Sequence, residues 1–381
     1  REKSYKMVQS YAKKCFSENL NLIDVISSDK FIMSKITPKK LKSIFNKCGY
    51  KLVKHWLGYK ICYKNRKNIE DFEIYKEQLK QRLDPTVTIM QGINSFIKNN
   101  QKKIVFADGE DENTLKAAIA FKNSKLGTPI LIGKESKIKE QIKKIGYNEN
   151  FDIEIVNSKD TPKREKYVKY LFKKLQREQG LLERDCDRIV RNDRVIWGSC
   201  MVSCGDADAM VTGNSRKYFS SLEKIVKVVD PRPGEIMFGL NMIENKGKTV
   251  FIADTAVHEY PSSEQLSEIA ISAARVVRLF GFNPKVAFLS HSTFGQPVTS
   301  RTKHIKDAVD ILQDKKVDFQ FDGDMQPDVA LSEEYKELYP FSGIVGNANI
   351  LIMPGQHSAA ISFKMMKTLG DAKVIGPLLI G

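Results

Sequence analysis

The sequence predicts an α/β protein, a mostly parallel sheet flanked by helices, behind a small α-helical N-terminal block. Two observations predict it. From Lys103 onward, short apolar runs that read as strands alternate with amphipathic stretches that read as helices, the pattern of successive βα units. Many of those runs end in Gly, Asp, Ser or Thr, residues that punctuate strand-to-helix turns. With 381 residues, 41% of them hydrophobic, the chain can bury cores for two or three domains.

Residues 1–60 read as helical. Tyr5, Val8, Tyr11, Ala12 and Cys15 fall at helical spacing, and Thr37-Pro38 reads as the cap and first turn of KKLKSIF. Residues 61–100 are strongly charged, with Asp84-Pro85 breaking two helical stretches, and read as a linker plus a docking helix. Residues 101–230 open with the strand KIVFADG. The helix DENTLKAAIAFKNSKLG, the strand TPILIG, the helix SKIKEQIKKIG and the strand FDIEIVN follow. A long polar helical region (162–194) precedes the strand and turn of GDADAMVTG at 205–213, and a helix spans 218–229. Residues 231–377 begin at the PRPG break of 231–234, with strands around 236–240 and 249–253. SSEQLSEIAISAARVVRLFG reads as a helix capped by serine and closed by Gly281. Both ends read as cut: the chain begins with Arg1 and stops directly after VIGPLLI.

Lysine and arginine outnumber acidic residues by 62 to 46, a net charge of +16. That balance invites nucleic acid, yet lysine is spread along the whole length without an aromatic-interleaved basic motif, so no nucleic-acid partner is expected. Cysteines 15, 48, 62, 186, 200 and 204 form no paired framework, and Cys200 with Cys204 lacks the partners of a zinc set. They read as reduced thiols of a cytoplasmic protein. No apolar run is long enough to span a bilayer, and no signal peptide is visible. Histidines 55, 258, 291, 304 and 357 do not fall at ligand spacing. Asp322, Asp324 and Asp328 lack the glycine and distal glutamate of a calcium loop, so no metal is expected.

Candidate ligand-binding residues cluster in polar loops after apolar runs, where open α/β sheets hold ligands. The richest stretch is 285–331. Its strand VAFL turns abruptly into SHSTFG, where Ser290, His291, Ser292 and Thr293 offer donors with little bulk, as an anion-binding turn requires. Arg301, Lys303 and Lys306 add positive charge on the next helix. A second strand, FQFDG, ends in Asp322-Gly323-Asp324, where Gly323 permits a turn. Thr212, Gly213 and Asn214 close another strand, and Asp254-Thr255 ends FIAD. The acidic GEDEN turn after Phe106 would repel a phosphate and reads as helix capping.

The blocks KIVFADGEDENTLKAA, GTPILIG, GDADAMVTG, FIADTAVHEYPSSEQLSEIA, PKVAFLSHST, DFQFDGDMQPDVALS and GNANILIMP resemble, in order and spacing, the phosphate acetyltransferase family. Arg216-Lys217-Tyr218 after MVTGN, the DTAVHEYPSSEQL block and the IEDFEIYKEQL lead-in are most similar to the phosphotransacetylase-like C-terminal half of large bacterial malic enzymes. The resemblance covers about 69–381. It implies a two-domain α/β/α phosphotransacetylase-like fold, with subdomain I at 101–230, subdomain II at 231–377 and 378–381 as the start of a return to the first, whose cleft binds acetyl-CoA or CoA, with Arg216 among the cleft residues, and a homo-oligomer. It also implies a regulatory acyl-CoA site in a protein that decarboxylates malate oxidatively, with NADP and a divalent metal confined to a domain outside this sequence. No Gly-x-Gly-x-x-Gly fingerprint occurs, so no nicotinamide cofactor is expected here. The YKMVQ, DKFIMSKITPKKLKSIF and YKLVKH stretches of residues 1–60 resemble the C-terminal helical domain of adenylosuccinate lyase.

Several positions depart from the transferases. Their serine, arginine and aspartate lie after GPLLIG, beyond Gly381. Glu223 falls near a family arginine and Gln176 replaces another, reversing or removing charge where an anion must be stabilised. His258 stands where asparagine is common, and His357-Ser358 replaces an acidic residue. No catalytic residue is therefore nominated, and an active phosphate acetyltransferase is the alternative.

Overall fold

The computed structural model describes residues 22–47, 50–55, 58–63, 100–147, 152–159, 162–245 and 247–381, with isolated positions at 10, 11, 14, 15, 18, 20 and 97. The chain divides into two compact units, residues 1–79 and 80–381. Of the linker and docking helix expected over 61–100, residues 64–96, 98 and 99 lie outside the described residues, and 61–63 are strand rather than linker.

In the first unit, helices α1 (Leu22–Ser27), α2 (Lys30–Met33) and α3 (Pro38–Lys47) precede an antiparallel pair, β1 (Tyr50–His55) and β2 (Gly58–Tyr63). Asp29 caps α2 by accepting from the Phe31 N–H at 2.8 Å, and the Tyr11 hydroxyl donates to the same carboxylate at 2.6 Å. Tyr11, Cys15 and Val25 form a small core. The block expected to be wholly helical thus ends in a hairpin. YKLVKH and GYKICY mix aromatic and β-branched residues, which favour extended backbone over helix.

The second unit carries two sheets. The first is parallel throughout, in the order β5 (Glu154–Val156), β4 (Gly127–Ile132), β3 (Lys102–Phe106), β6 (Ala209–Val211). Helices α4 (Glu112–Asn123) and α5 (Glu135–Lys144) bury Leu115, Ile119 and Ile138 against one face. On the other, α6 (Arg164–Glu178), α7 (Glu183–Asn192) and α8 (Arg194–Ser203) pack Tyr167, Leu171, Val190, Trp197 and Cys200. The stretch 162–194, expected as one polar helical region, is two helices, α6 and α7, with α8 beginning at its end. Helix α8, RVIWGSCMVS, buries Val195 to Met201 without a break and has no polar face for a periodicity to show. Helix α9 (Tyr218–Val228) leads to the second sheet.

That sheet runs β10 (Gln320–Met325), β9 (Lys285–Leu289), β11 (Ile350–Ile352), β8 (Lys248–Ala253), β7 (Phe238–Asn245), β12 (Lys373–Ile380). The first four strands are mutually parallel, and β7 and β12 add antiparallel pairings. Helices α10 (Ser263–Leu279) and α11 (Ser300–Asp314) cover one face around Phe238, Phe251, Phe288 and Leu312. The other face packs Ile252, Leu289, Met325 and Met353 beside α12 (Pro327–Leu331) and α14 (Gln356–Leu369); α13 (Glu333–Lys336) is a single turn. Ser262 and Gln265 form a reciprocal capping box on α10, and Gly281, at φ 84°, follows its end. Both predicted ends of that helix hold. His357 and Ser358 lie in the first turn of α14.

Two further expectations change. Residues 378–381 do not turn back to the first subdomain: Leu378, Leu379 and Ile380 pair with Leu240, Gly239 and Phe238 in the second sheet. Asp322-Gly323-Asp324 does not end its strand, which continues to Met325 through a register shift. Gly323 is required there by close approach, since a Cβ would sit 2.7 Å from the Phe288 Cβ.

Candidate functional site

Three aspartates, Asp108, Asp254 and Asp324, stand at or just beyond the ends of β3, β8 and β10, each no more than 3% exposed. A buried carboxylate must collect donors from its surroundings. Asp108 and Asp324 take them from loops the sequence nominated for ligand contact, and Asp254 takes them from its own turn and from Gly239.

Asp108 follows β3. The turn after β6 wraps it: Gly213 N–H donates at 3.1 Å, the Ser215 hydroxyl at 2.5 Å and Arg216 Nε at 3.3 Å, with the Thr212 hydroxyl at 3.5 Å. Burial pushes the Asp108 carboxyl up, but the Ser215, Gly213 and Arg216 contacts outweigh it and hold the group below the usual carboxylate range. Asn214 donates instead to Asp111, which caps α4 through the Thr114 N–H at 2.9 Å. The acidic turn is therefore a cap, as its sequence predicts. Glu110 accepts from the Lys134 N–H at 2.9 Å and from Arg194 at 2.5 Å.

Asp254 follows β8. It accepts from the N–H groups of Gly239 (2.8 Å), Ala256 (2.8 Å), Val257 (3.1 Å) and His258 (2.8 Å), and pairs with His258 Nδ1 at 2.7 Å. Burial again opposes ionisation and again loses, to the His258 ring and the converging amides, so the carboxyl is held low. Thr255 donates to Asn241 Oδ1 at 2.8 Å, deep in the sheet.

Asp324 accepts from the Ser292 hydroxyl and, at 3.0 Å, from the Gly295 N–H. The Ser290 and Ser292 hydroxyl oxygens lie 2.8 Å apart, and the His291 carbonyl accepts from Gln326 at 2.8 Å. Thr293 Oγ1 accepts the Gln326 N–H at 3.3 Å, and Asp322 accepts the Gly343 N–H at 2.7 Å. The hydroxyl turn is thus fastened to the neighbouring strand end. The His291 side chain and Arg301, at the start of α11, remain exposed.

The two sheets meet between these loops. Tyr218, the first residue of α9, donates to the Ala256 carbonyl at 2.7 Å, and Gln356, the first of α14, donates to the same oxygen at 3.0 Å. Burial, with Asp254 nearby, pushes the Tyr218 phenol up to about 12. The sequence reading did not single out Asp108, and it noted Tyr218 and His258 only for their resemblance. An aspartate directly after a buried strand was the available signal. Glu223 pairs with Lys227 at 3.0 Å on the outside of α9, and Gln176 is exposed on α6. Among the described residues, no group of three His, Cys, Asp or Glu side chains is placed to hold a metal, and no helix is long and apolar enough to cross a membrane.

The match to known proteins is extensive. Over 317 residues the chain is 43% identical to an NADP-dependent malic enzyme of Rhizobium meliloti, covering 83% of this chain but 42% of that enzyme's length. It is 31% identical to a phosphate acetyltransferase of Clostridium acetobutylicum, covering 77% of this chain and 90% of the relative. A phosphotransacetylase structure from Streptococcus pyogenes superposes with a TM-score of 0.71 at 27% identity, over 77% of this chain and 89% of that one. The lyase-like stretch of residues 1–60 lies outside the family match. From residue 88 to 381 the sequence fits the phosphate acetyl/butaryl transferase model, and the chain belongs to that family.

Proposed function

We propose that this chain is an acyl-CoA-binding, phosphotransacetylase-like domain of a malic enzyme, regulating oxidative decarboxylation of malate without transferring acetyl groups itself. The observation that carries the reading is the occupation of strand-end donors by carboxylates. Acetyl transfer needs donors free to hold the charge that develops on phosphate and thiol. Here Gly213, Ser215 and Arg216 are committed to Asp108, and Ser292 and Gly295 to Asp324. Neither Glu223 nor Gln176 can supply a guanidinium. The family supports a CoA-type ligand in the cleft around Thr212–Arg216, Asp254–Thr255, Ser290–Thr293, Arg301 and Asp322–Asp324. The Tyr218–Ala256 contact supports regulation, because a ligand that widened or closed this junction would favour one arrangement of the two sheets. NADP and a divalent metal would act in a separate domain, in a cytoplasmic homo-oligomer. Neither nucleic acid nor membrane is a proposed partner.

Calorimetry with acetyl-CoA tests the reading. Saturable binding, with no acetyl-CoA formed from acetyl phosphate and CoA above background, supports it; absence of binding overturns it. A second reading, an active phosphate acetyltransferase, is favoured by the 90% coverage of the clostridial enzyme. Turnover at an enzymic rate in the same assay would establish it.

A further inference from the structure

We infer that His258 is a proton acceptor for the thiol of free CoA, so that the site distinguishes CoA from its thioesters; this rests on the acyl-CoA reading above. The imidazole's tautomer follows from its surroundings. Asp254 is 1% exposed and receives four backbone N–H groups besides the ring, all of which favour the ionised carboxylate. A carboxylate can only accept, so the 2.7 Å contact requires the proton on Nδ1. That leaves the lone pair of the neutral ring on Nε2. No hydrogen bond from the described residues reaches Nε2, and the side chain keeps 18% of its surface exposed. A carboxylate-oriented histidine with a free Nε2 is the geometry of a general base.

Its position fits a ligand between the subdomains. His258 lies on the turn that receives the Tyr218 hydroxyl from the other subdomain, two residues after Ala256. The titratable groups around it are Asp254 and Glu259 on its own turn, Tyr218 from α9, and His357 from α14, which lies 3.5 Å from Glu259. Asp254 is the one in direct contact with the ring. The step balances simply. The thiol S–H bond breaks, the proton passes to Nε2, and a thiolate–imidazolium pair remains, its cation stabilised by Asp254. In water that transfer is unfavourable by about a hundredfold even for a thiol as acidic as cysteine's, from ordinary values of about 8.5 and 6.5, and by more for the weaker thiol of CoA. The ion pair and the carboxylate behind it must supply the difference. A thioester has no such proton, so acetyl-CoA forms no pair.

The test adds CoA, then separately acetyl-CoA, to the whole chain near neutral pH. It follows thiolate ultraviolet absorbance and the NMR signals of nitrogen-labelled histidine. Before ligand, the His258 ring is expected to carry a proton on Nδ1, facing Asp254. With CoA, thiolate absorbance rises and the ring becomes doubly protonated; with acetyl-CoA neither occurs. His258→Gln removes the thiolate signal, and restoring histidine restores it. Binding of both ligands without thiolate or imidazolium overturns this inference alone. Binding of neither ligand overturns the functional reading and this inference with it.

Discussion

The Tyr218 hydroxyl at the start of α9 donates a 2.7 Å hydrogen bond to the Ala256 carbonyl just beyond β8, joining the elements of one sheet to those of the other. Ala256 also belongs to the turn that grips Asp254, through its N–H at 2.8 Å. A single residue therefore connects the junction of the subdomains to the most heavily bonded carboxylate of the site. Tyr218→Phe removes only the hydroxyl. It is expected to cost about 1 kcal/mol and lower the denaturant midpoint, while the isolated fold persists. An unchanged midpoint would show that the contact contributes nothing.

Asp108 and Asp254 both ionise more readily in the folded chain than in the unfolded one. Each therefore contributes stability that is present above the ordinary carboxylate range and lost as pH falls through the depressed folded values. Asp254→Asn faces four N–H donors with an amide that brings donors of its own. It is expected to lose about 2 kcal/mol at neutral pH and to flatten the acid limb of stability. Thermal unfolding measured across the acid range checks both parts. An acid limb as steep as that of the unsubstituted chain would contradict the assignment.

A Cβ at Gly239 would overlap the Ala256 side chain and lie 2.9 Å from its backbone N. Gly239→Ala must therefore displace the Asp254 turn. The expected cost is about 1–3 kcal/mol, as for overpacking elsewhere. Calorimetric unfolding measures it, and a loss well under 0.5 kcal/mol would mean the turn gives way freely.

Arg301 is exposed at the start of α11, beside the loop that follows Thr293. If the proposed acyl-CoA site is correct, Arg301→Ala should weaken acetyl-CoA binding about tenfold, near 1.4 kcal/mol. The deficit should shrink at high salt, because an exposed charge is screened. Titrations at two ionic strengths decide it, and equal affinity at low salt would exclude the residue from the site.

Much of the fold was legible because βα alternation leaves a local signature. β3, β4, β9 and the two ends of α10 follow directly from apolar runs and caps. The exceptions have local causes too. Helix α8 was missed because it is buried on all sides and so lacks amphipathic contrast. The hairpin of β1 and β2 was read as helix because a few residues at helical spacing outweighed β-branched and aromatic content further on. The continuation of β10 past Gly323 was hidden because a glycine in a strand reads as punctuation until the strand it packs against is known.

The sequence by itself determined the class of fold, the strand-end loops that form the candidate site, and the acidic turn that caps α4. Each depends on residues within a few positions of one another. Tertiary structure alone decided what those loops bond to. Gly213 meets Asp108 across 105 positions, and Ser292 meets Asp324 across 32, because sheet order sets β6 beside β3 and β10 beside β9. Periodicity reports whether a residue is buried, not which donor faces which acceptor. Pairing of polar groups inside a protein is set by the order in which its strands lie side by side.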